Sequence, residues 1–228
     1  MENKKAIARP LSLAEQVANN ISELVLSGEF KPGDSIPEPR LAAYFQVSRG
    51  PVREALRILE KDGVVTISPR RGARVTKLTA AELDQVFEIR ATLFGLAAGL
   101  FSNRHAPADL DRLQQRLDQM RALVSAGGAT EAHAQLSLEM ASTLLEGCGN
   151  PRLREMVLQL SRQVARYTRL GLSSVERRRQ SLESWEALIG HIRSGEAESA
   201  EALARRMVMN SRKHALEMLA QEEAAASG

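Results

Sequence analysis

Hydrophobic and polar positions along the chain fall into two regimes. In the first, Leu13, Val17, Ile21, Leu24 and Val25 recur at helical spacing, and Ser27-Gly28 closes the run. Pro32-Gly33, within Phe30-Lys31-Pro32-Gly33-Asp34, suits the two central positions of a type II turn. A second, short helix is predicted over 38–45. Ser48 can cap a third, whose first turn tolerates Pro51 because its missing N–H has no intrahelical partner there. Val52, Ala55, Leu56 and Leu59 form that helix's buried stripe, and Gly63 stops it. Val64-Val65-Thr66-Ile67 and Ala73-Arg74-Val75-Thr76 are β-branched runs flanking Pro69-Arg70-Arg71-Gly72, the pattern of a hairpin.

The second regime begins after Lys77-Leu78. Thr79-Ala80-Ala81-Glu82 is a capping box, and from there every periodic segment is helical. Helices are predicted over 80–103, 107–126, 129–147, 151–171, 174–193 and 196–221. Their breaks are Ala106-Pro107, Gly127-Gly128, Gly149-Asn150-Pro151, Gly171 with Ser173-Ser174, and Ser194-Gly195. The tail at 224–228 is expected to fray. The predicted fold is mostly α: three helices and a β-hairpin over 10–77, then an all-α bundle of six to seven helices over 78–221.

Composition agrees. At 228 residues there is room for one large domain or two small ones, and 43% hydrophobic residues with only 4% aromatics favour packed helices over sheet. The formal charge of +3 is unevenly placed. Residues 1–77 carry 13 Lys/Arg against 9 Asp/Glu, a net of +4, whereas the remainder carries 18 against 19, a net of −1. Basic character therefore belongs to the N-terminal third, as expected if only that part meets a polyanion. The single cysteine, Cys148, excludes an intramolecular disulfide and fits a reducing compartment. No apolar run approaches the roughly 20 residues of a membrane span, and the polar Met1-Glu2-Asn3-Lys4-Lys5 is not the pattern of a signal peptide. A cytoplasmic protein with no membrane partner is expected.

The chemistry concentrates in Val47-Ser48-Arg49-Gly50-Pro51-Val52-Arg53-Glu54-Ala55-Leu56. Arg49 and Arg53 are four apart, on the face opposite the apolar stripe. An arginine there can make two parallel bonds to guanine or grip a phosphate. Ser48 offers a hydroxyl and a backbone N–H at a helix N-terminus, and Gly50 lets the backbone approach closely. In the hairpin, Arg70 and Arg71 sit on a tight turn that Gly72 keeps narrow, within reach of a minor groove or the backbone. A lone arginine pair is ordinarily a solvated face. Here it coincides with an upstream helix, a serine cap and a basic hairpin, the parts of a winged helix-turn-helix in their usual order.

Residues 10–77 resemble the winged helix-turn-helix of the GntR superfamily of bacterial transcription regulators. The matching strings are Gly28-Glu29-Phe30-Lys31-Pro32-Gly33, Leu41-Ala42, Val47 to Leu56, Leu59-Glu60-Lys61-Asp62-Gly63 and Arg71-Gly72. The resemblance implies that Arg49 and Arg53 contact operator DNA and that Gly72 enters the minor groove. Where some members place an arginine two residues before the Leu-Ala pair, this chain has Pro39, with Arg40 beside it as the candidate contact.

Residues 79–221 resemble the all-helical effector domain of the FadR-like subgroup, the FCD domain. The matching features are Glu88-Ile89-Arg90-Ala91-Thr92-Leu93, Gly149-Asn150-Pro151 and Ser194-Gly195-Glu196. Many such domains bind a divalent metal through one Asp and three His, and the metal helps to hold a carboxylate effector. Here the expected Asp falls on Ser137, and the expected His positions fall on Ala141, Trp185 and Met207. The four ligands are absent, so neither a metal nor another cofactor is expected. His105, His133, His191 and His214 have no carboxylate at i, i+4 spacing on a recognisably inward face, and surface or helix-end positions are expected for them. His133 and His214 lie about two turns from the missing ligands, which leaves a relocated site as the alternative.

Ser137, Ala141, Trp185 and Met207 would instead line an apolar cavity for an aromatic or alicyclic ligand, or would fill it. Arg90 is placed to meet a ligand carboxylate or a neighbouring Glu. Arg166 and Arg169, near Tyr167, are further candidates. The leading expectation is a homodimeric regulator, a repressor, that binds double-stranded operator DNA and answers to a small organic-acid or aromatic effector. The alternative is a constitutive dimeric DNA-binding regulator with a closed helical domain. No nucleophile–base pair, phosphate loop or Cys/His metal spacing supports an enzyme.

Overall fold

The computed structural model describes residues 10–227. The chain divides into two compact units, at Lys77 and Leu78.

The first unit contains α1 (Leu13–Leu26), β1 (Ser35–Ile36), α2 (Glu38–Tyr44), α3 (Arg49–Lys61), β2 (Val65–Ser68) and β3 (Gly72–Val75). A capping box starts α1, with Ser12 Oγ accepting from Glu15 N and Glu15 closing back on Ser12 N. Its core face is Ala14, Val17, Ala18, Ile21 and Val25; Leu13, expected in that stripe, is exposed. The stripe Val52, Ala55, Leu56 and Leu59 is buried against this face, as the periodicity predicts.

The expected hairpin is the larger part of a three-stranded sheet of order β1-β3-β2, antiparallel throughout. Ser35 pairs with Arg74 and Ile36 with Ala73. The type II turn at Pro32-Gly33 forms as expected, with Asp34 N donating to Lys31 O at 3.0 Å and Gly33 at φ +89°. It delivers the chain to β1, where Ile36 enters the core.

The second unit is six helices: α4 (Ala80–Arg104), α5 (Pro107–Ser125), α6 (Thr130–Gly147), α7 (Pro151–Leu170), α8 (Val175–Arg193) and α9 (Ala197–Ser227). The predicted Thr79/Glu82 capping box starts α4. The last helix does not end near 221 but continues to Ser227, so the tail expected to fray is helical. One hydrophobic core runs through the unit. Its tightest seam lies between α4 and α9. A Cβ on Gly95 would stand 3.0 Å from the Glu201 carbonyl oxygen, and Ala91, Ala98, Ala200 and Ala204 are fully buried. Small side chains bring the two backbones close enough to pack as one layer.

Candidate nucleic-acid interface and helical-unit interior

The turn between α2 and α3 aims the candidate recognition helix. Its geometry is a Schellman cap: Val47 N donates to Ala42 O at 3.0 Å and Gln46 N to Ala43 O at 3.2 Å, with Gln46 in the left-handed region at φ +55°. The same motif closes α3 with Gly63 at φ +74°, where a glycine carries no steric penalty.

Ser48 occupies the N-cap of α3, but its hydroxyl makes no capping bond. The cause is Pro51. In α1, α4, α7 and α8 the capping side chain accepts from the backbone N–H of the third helical residue; in α3 that residue is Pro51, which has none. The expected cap is therefore a cap by position only. The Ser48 hydroxyl and the first N–H groups of α3 remain turned toward solvent, the arrangement that accepts a phosphate. Nothing but Ser48 Oγ, at 3.9 Å, lies near a Cβ built on Gly50.

Arg49 and Arg53 are exposed on the outer face of α3, and Arg57 extends their row by another turn. Sequence reasoning missed Arg57, although i+8 spacing from Arg49 carries it. Among the described residues Arg49 and Arg57 have no ion-pair partner. Arg53 does: its Nε donates to Glu38 Oε2 at 2.7 Å. Arg40 lies 3.9 Å from Glu29, both side chains more than half exposed, so its cation stays at the surface. Tyr44, also missed, is exposed at the end of α2 with its ring edge-to-face on Phe45.

In the wing, Arg71 N donates to Ser68 O at 3.1 Å, with Pro69 and Arg70 between them. Arg70 has φ +66°, so the turn is type II with an arginine where glycine is usual. Gly72 also has positive φ, +73°, but it begins β3, and the residue that makes the turn is Arg70. The tip therefore holds two adjacent exposed arginines on a backbone one of them strains.

In the helical unit, Arg90 faces inward from α4. Its Nε donates to Ser161 Oγ at 2.8 Å, its guanidinium lies over the Phe87 ring, and burial pushes its pKa down to about 10. The Glu partner weighed for it is absent from these contacts. Arg166 lies over the Tyr167 ring, and Arg169 pairs with Glu131 at 3.0 Å. Trp185 belongs to the core, with Ala141 and Met207 packed against it. Ser137 Oγ is buried with no hydrogen-bond partner.

One expectation about the histidines holds only in part. His133 stands in the first turn of α6, at a helix end, but not at the surface: it is fully buried, and neither ring nitrogen has a partner. Burial, and then the Arg178 charge, hold its pKa down to about 4. Arg178 itself, on α8, is 7% exposed and was not singled out in the sequence. His191 and His214 are half-exposed against Glu196 and Glu217, and His105 stacks on Phe101.

A divalent metal of the kind the FCD resemblance implies does not fit the residues present. Ala141 and Trp185 offer no ligand atom, Met207 offers a soft thioether and Ser137 a neutral hydroxyl. Among the described residues no group of three or more His, Cys, Asp or Glu could hold a metal ion. Nor, among them, is any helix long and apolar enough to cross a membrane.

Comparison with known proteins places both units. Residues 13–75 match the family model for bacterial regulatory proteins of the gntR family, and residues 85–210 match the FCD domain. An uncharacterized HTH-type transcriptional regulator, YdhC of Bacillus subtilis, is 32% identical over 149 residues, 65% of this chain and 66% of its own length. The gluconate operon transcriptional repressor of Bacillus licheniformis is 35% identical over 82 residues, 36% of this chain and 33% of its own. The match thus spans less than two thirds of either relative. In fold, Escherichia coli McbR/YncC superposes with a TM-score of 0.77 at 23% identity, covering 94% of this chain and all of that one. A transcriptional regulator from Rhodococcus sp. RHA1 gives 0.72 at 22% identity, covering 91% of this chain and 99% of that one. The chain belongs to the GntR family of bacterial DNA-binding transcription regulators, and its helical unit is an FCD domain.

Proposed function

We propose that this regulator binds a palindromic operator as a homodimer and represses transcription, and that a small organic acid or aromatic metabolite in the helical unit changes its operator affinity without a metal. The observation that carries the DNA half is the outer face of α3: Arg49, Arg53 and Arg57 in one exposed row, above an N-terminus whose own serine leaves it uncapped. Arg49, at the first helical position, reads a base edge; Ser48, Gly50 and Pro51 bring the backbone to a phosphate; Arg70, Arg71 and Gly72 form the wing contact, with Arg40 at the flank. One such head reads only a half-site, and two-fold symmetry doubles the contacts. Repression is the sense carried by the relative named as a gluconate operon repressor.

A second reading is a constitutive regulator with a closed helical unit. The packing of Ala141, Trp185 and Met207 into the core favours it. Selection of binding sites from random duplexes tests the DNA half: a two-fold symmetric site bound by two chains is expected, and Arg49→Ala should weaken it by about 1–3 kcal/mol. An unchanged affinity removes Arg49 from the interface. Titrating metabolites against the operator complex separates the two readings, since a ligand shifts the equilibrium only by its differential affinity.

A further inference from the structure

The interior of the helical unit holds a group of hydrogen-bonding side chains that the protein leaves unmatched. His133 is fully buried with both ring nitrogens unbonded, and one turn along α6 the buried Ser137 Oγ is unbonded too. One turn in the other direction, Thr130 Oγ1 accepts from Arg178 Nη1 at 3.1 Å. That nitrogen also donates to the carbonyl oxygens of Leu172, at 3.0 Å, and Ser173, at 2.8 Å. All of these acceptors are neutral. Among the described residues no acceptor meets Nε or Nη2 of Arg178, the edge that matches a carboxylate in a two-bond fork. Glu131, the carboxylate within range of its charge, is bonded to Arg169 instead.

The position compounds the cost. Arg177, Arg178 and Arg179 follow one another within the first five residues of α8, near the positive end of its dipole. Arg179 is matched by Glu176 and Glu183. Among the described residues the Arg177 side chain donates to Gln180, with Glu217 and Glu176 within range of its charge, and its buried Nε has no partner. A buried guanidinium at a helix N-terminus whose nearby carboxylate, Glu131, is already bonded to Arg169 is left under-compensated, and an added anion would complete the pairing.

We propose that Arg178, His133 and Ser137 form a metal-free site for a small organic carboxylate, held on the Nε–Nη2 edge of Arg178, with a second polar group of the ligand meeting His133 or Ser137. The imidazole is neutral there, so it can donate through one nitrogen and accept through the other. His133 and Ser137 are about 6 Å apart along the helix axis, which suits an acid about the size of lactate or benzoate. The site shares Ser137 with the Ala141, Trp185 and Met207 set, but turns on His133 and Arg178, residues of α6 and α8 that lie outside it. It rests on reading the helical unit as a sensor and names the class of signal.

The test is thermal unfolding of the full chain with lactate, gluconate and benzoate at about 10 mM, each beside its uncharged amide. At least one acid should raise Tm by about 3 °C or more while its amide does not. Arg178→Gln should abolish that shift. His133→Leu removes the unmade bonds, so it should raise the Tm of the ligand-free protein by about 2 °C and weaken the acid at least about 10-fold. It carries the test alone if Arg178→Gln, which also releases two carbonyls, fails to fold. An acid-induced shift that survives both substitutions overturns the site. So does a neutral amide that changes operator affinity when no acid binds, an outcome that leaves the sensor reading standing. If no compound of either class moves Tm or operator affinity, both readings fall.

Discussion

Arg53 Nε donates to Glu38 Oε2 at 2.7 Å, so a cation on the exposed face of α3 is held by the first residue of α2. The bond occupies Nε and leaves both terminal nitrogens of Arg53 for acceptors outside the protein. It also sets a carboxylate close to where phosphates would pass. On the proposed mode of DNA binding Glu38 trades charge for orientation: it fixes the rotamer of Arg53 while subtracting from the positive field of that face.

Glu38→Ala separates those effects. An exposed pair contributes below about 1 kcal/mol to folding, so Tm should barely move. Affinity for the selected operator should fall about 3- to 10-fold, because Arg53 loses its fixed orientation. Affinity for a scrambled duplex should rise, because one negative charge is gone. Fluorescence anisotropy on both duplexes at matched salt measures the ratio. If both affinities change by the same factor, Glu38 does not orient Arg53.

Arg70 supplies a second trade. The turns at Lys31-Pro32-Gly33-Asp34 and Ser68-Pro69-Arg70-Arg71 share one geometry, yet the left-handed position holds Gly33 in one and Arg70 in the other. Arg70→Gly should stabilise the unit by about 1 kcal/mol in urea unfolding while weakening operator binding and lowering the salt slope by about one unit. Gln46→Gly relieves the same strain away from the expected contacts, so it should stabilise without that loss. A variant Arg70→Gly that binds DNA with an unchanged salt slope would take the wing tip out of contact with phosphate.

Gly147, the last residue of α6, marks where the helical core has no slack. A Cβ there would stand 2.5 Å from Phe101 Cε2, and Phe101 is fully buried with no room to withdraw. Gly147→Ala should destabilise the protein by about 1–3 kcal/mol, against the gain alanine ordinarily brings to a helix. Thermal unfolding of that variant beside Gly190→Ala is the comparison, since nothing lies within 4 Å of a Cβ at Gly190. Equal midpoints for the two would disprove the clash.

Periodicity makes α3 legible: Val52, Ala55, Leu56 and Leu59 turn inward, and geometry then sends Arg49 and Arg53 out. The capping box at Thr79 and Glu82 and the turn at Pro32-Gly33 are local, and local chemistry decides them. β1 is not legible, because two residues cannot display an alternation; Ser35 and Ile36 become a strand only when β3 arrives beside them. Gly72 is expected to keep the wing turn narrow, but the left-handed residue inside that turn is Arg70, and Gly72, also at positive φ, begins β3. With no carboxylate at i, i+4 spacing on a recognisably inward face, His133 is expected at the surface or at a helix end. Its burial is decided by helices remote from it in sequence, α4, α5 and α7, which pack against α6, while Arg178 of α8 comes within range of its charge.

That burial predicts a pH dependence of definite sign. His133 ionises near pH 6.5 in the unfolded chain and only near about pH 4 in the folded one, first because burial penalises the imidazolium and then because Arg178 repels it. Below pH 6.5 the unfolded state takes up a proton that the folded state refuses, so unfolding is favoured increasingly as pH falls from 6.5 to about 4, where the folded state also protonates. Above pH 6.5 both states are neutral and the contribution is constant. The full loss amounts to about 3 kcal/mol at most, from the shift and about 1.4 kcal/mol per pH unit. Urea unfolding between pH 7.5 and pH 4.5 should therefore show the wild-type chain losing stability faster than His133→Leu, with the two curves parallel above pH 7. Curves that stay parallel through the acid limb would mean that His133 meets a proton as easily folded as unfolded, and the buried imidazole would lose its place in the interior of the helical unit.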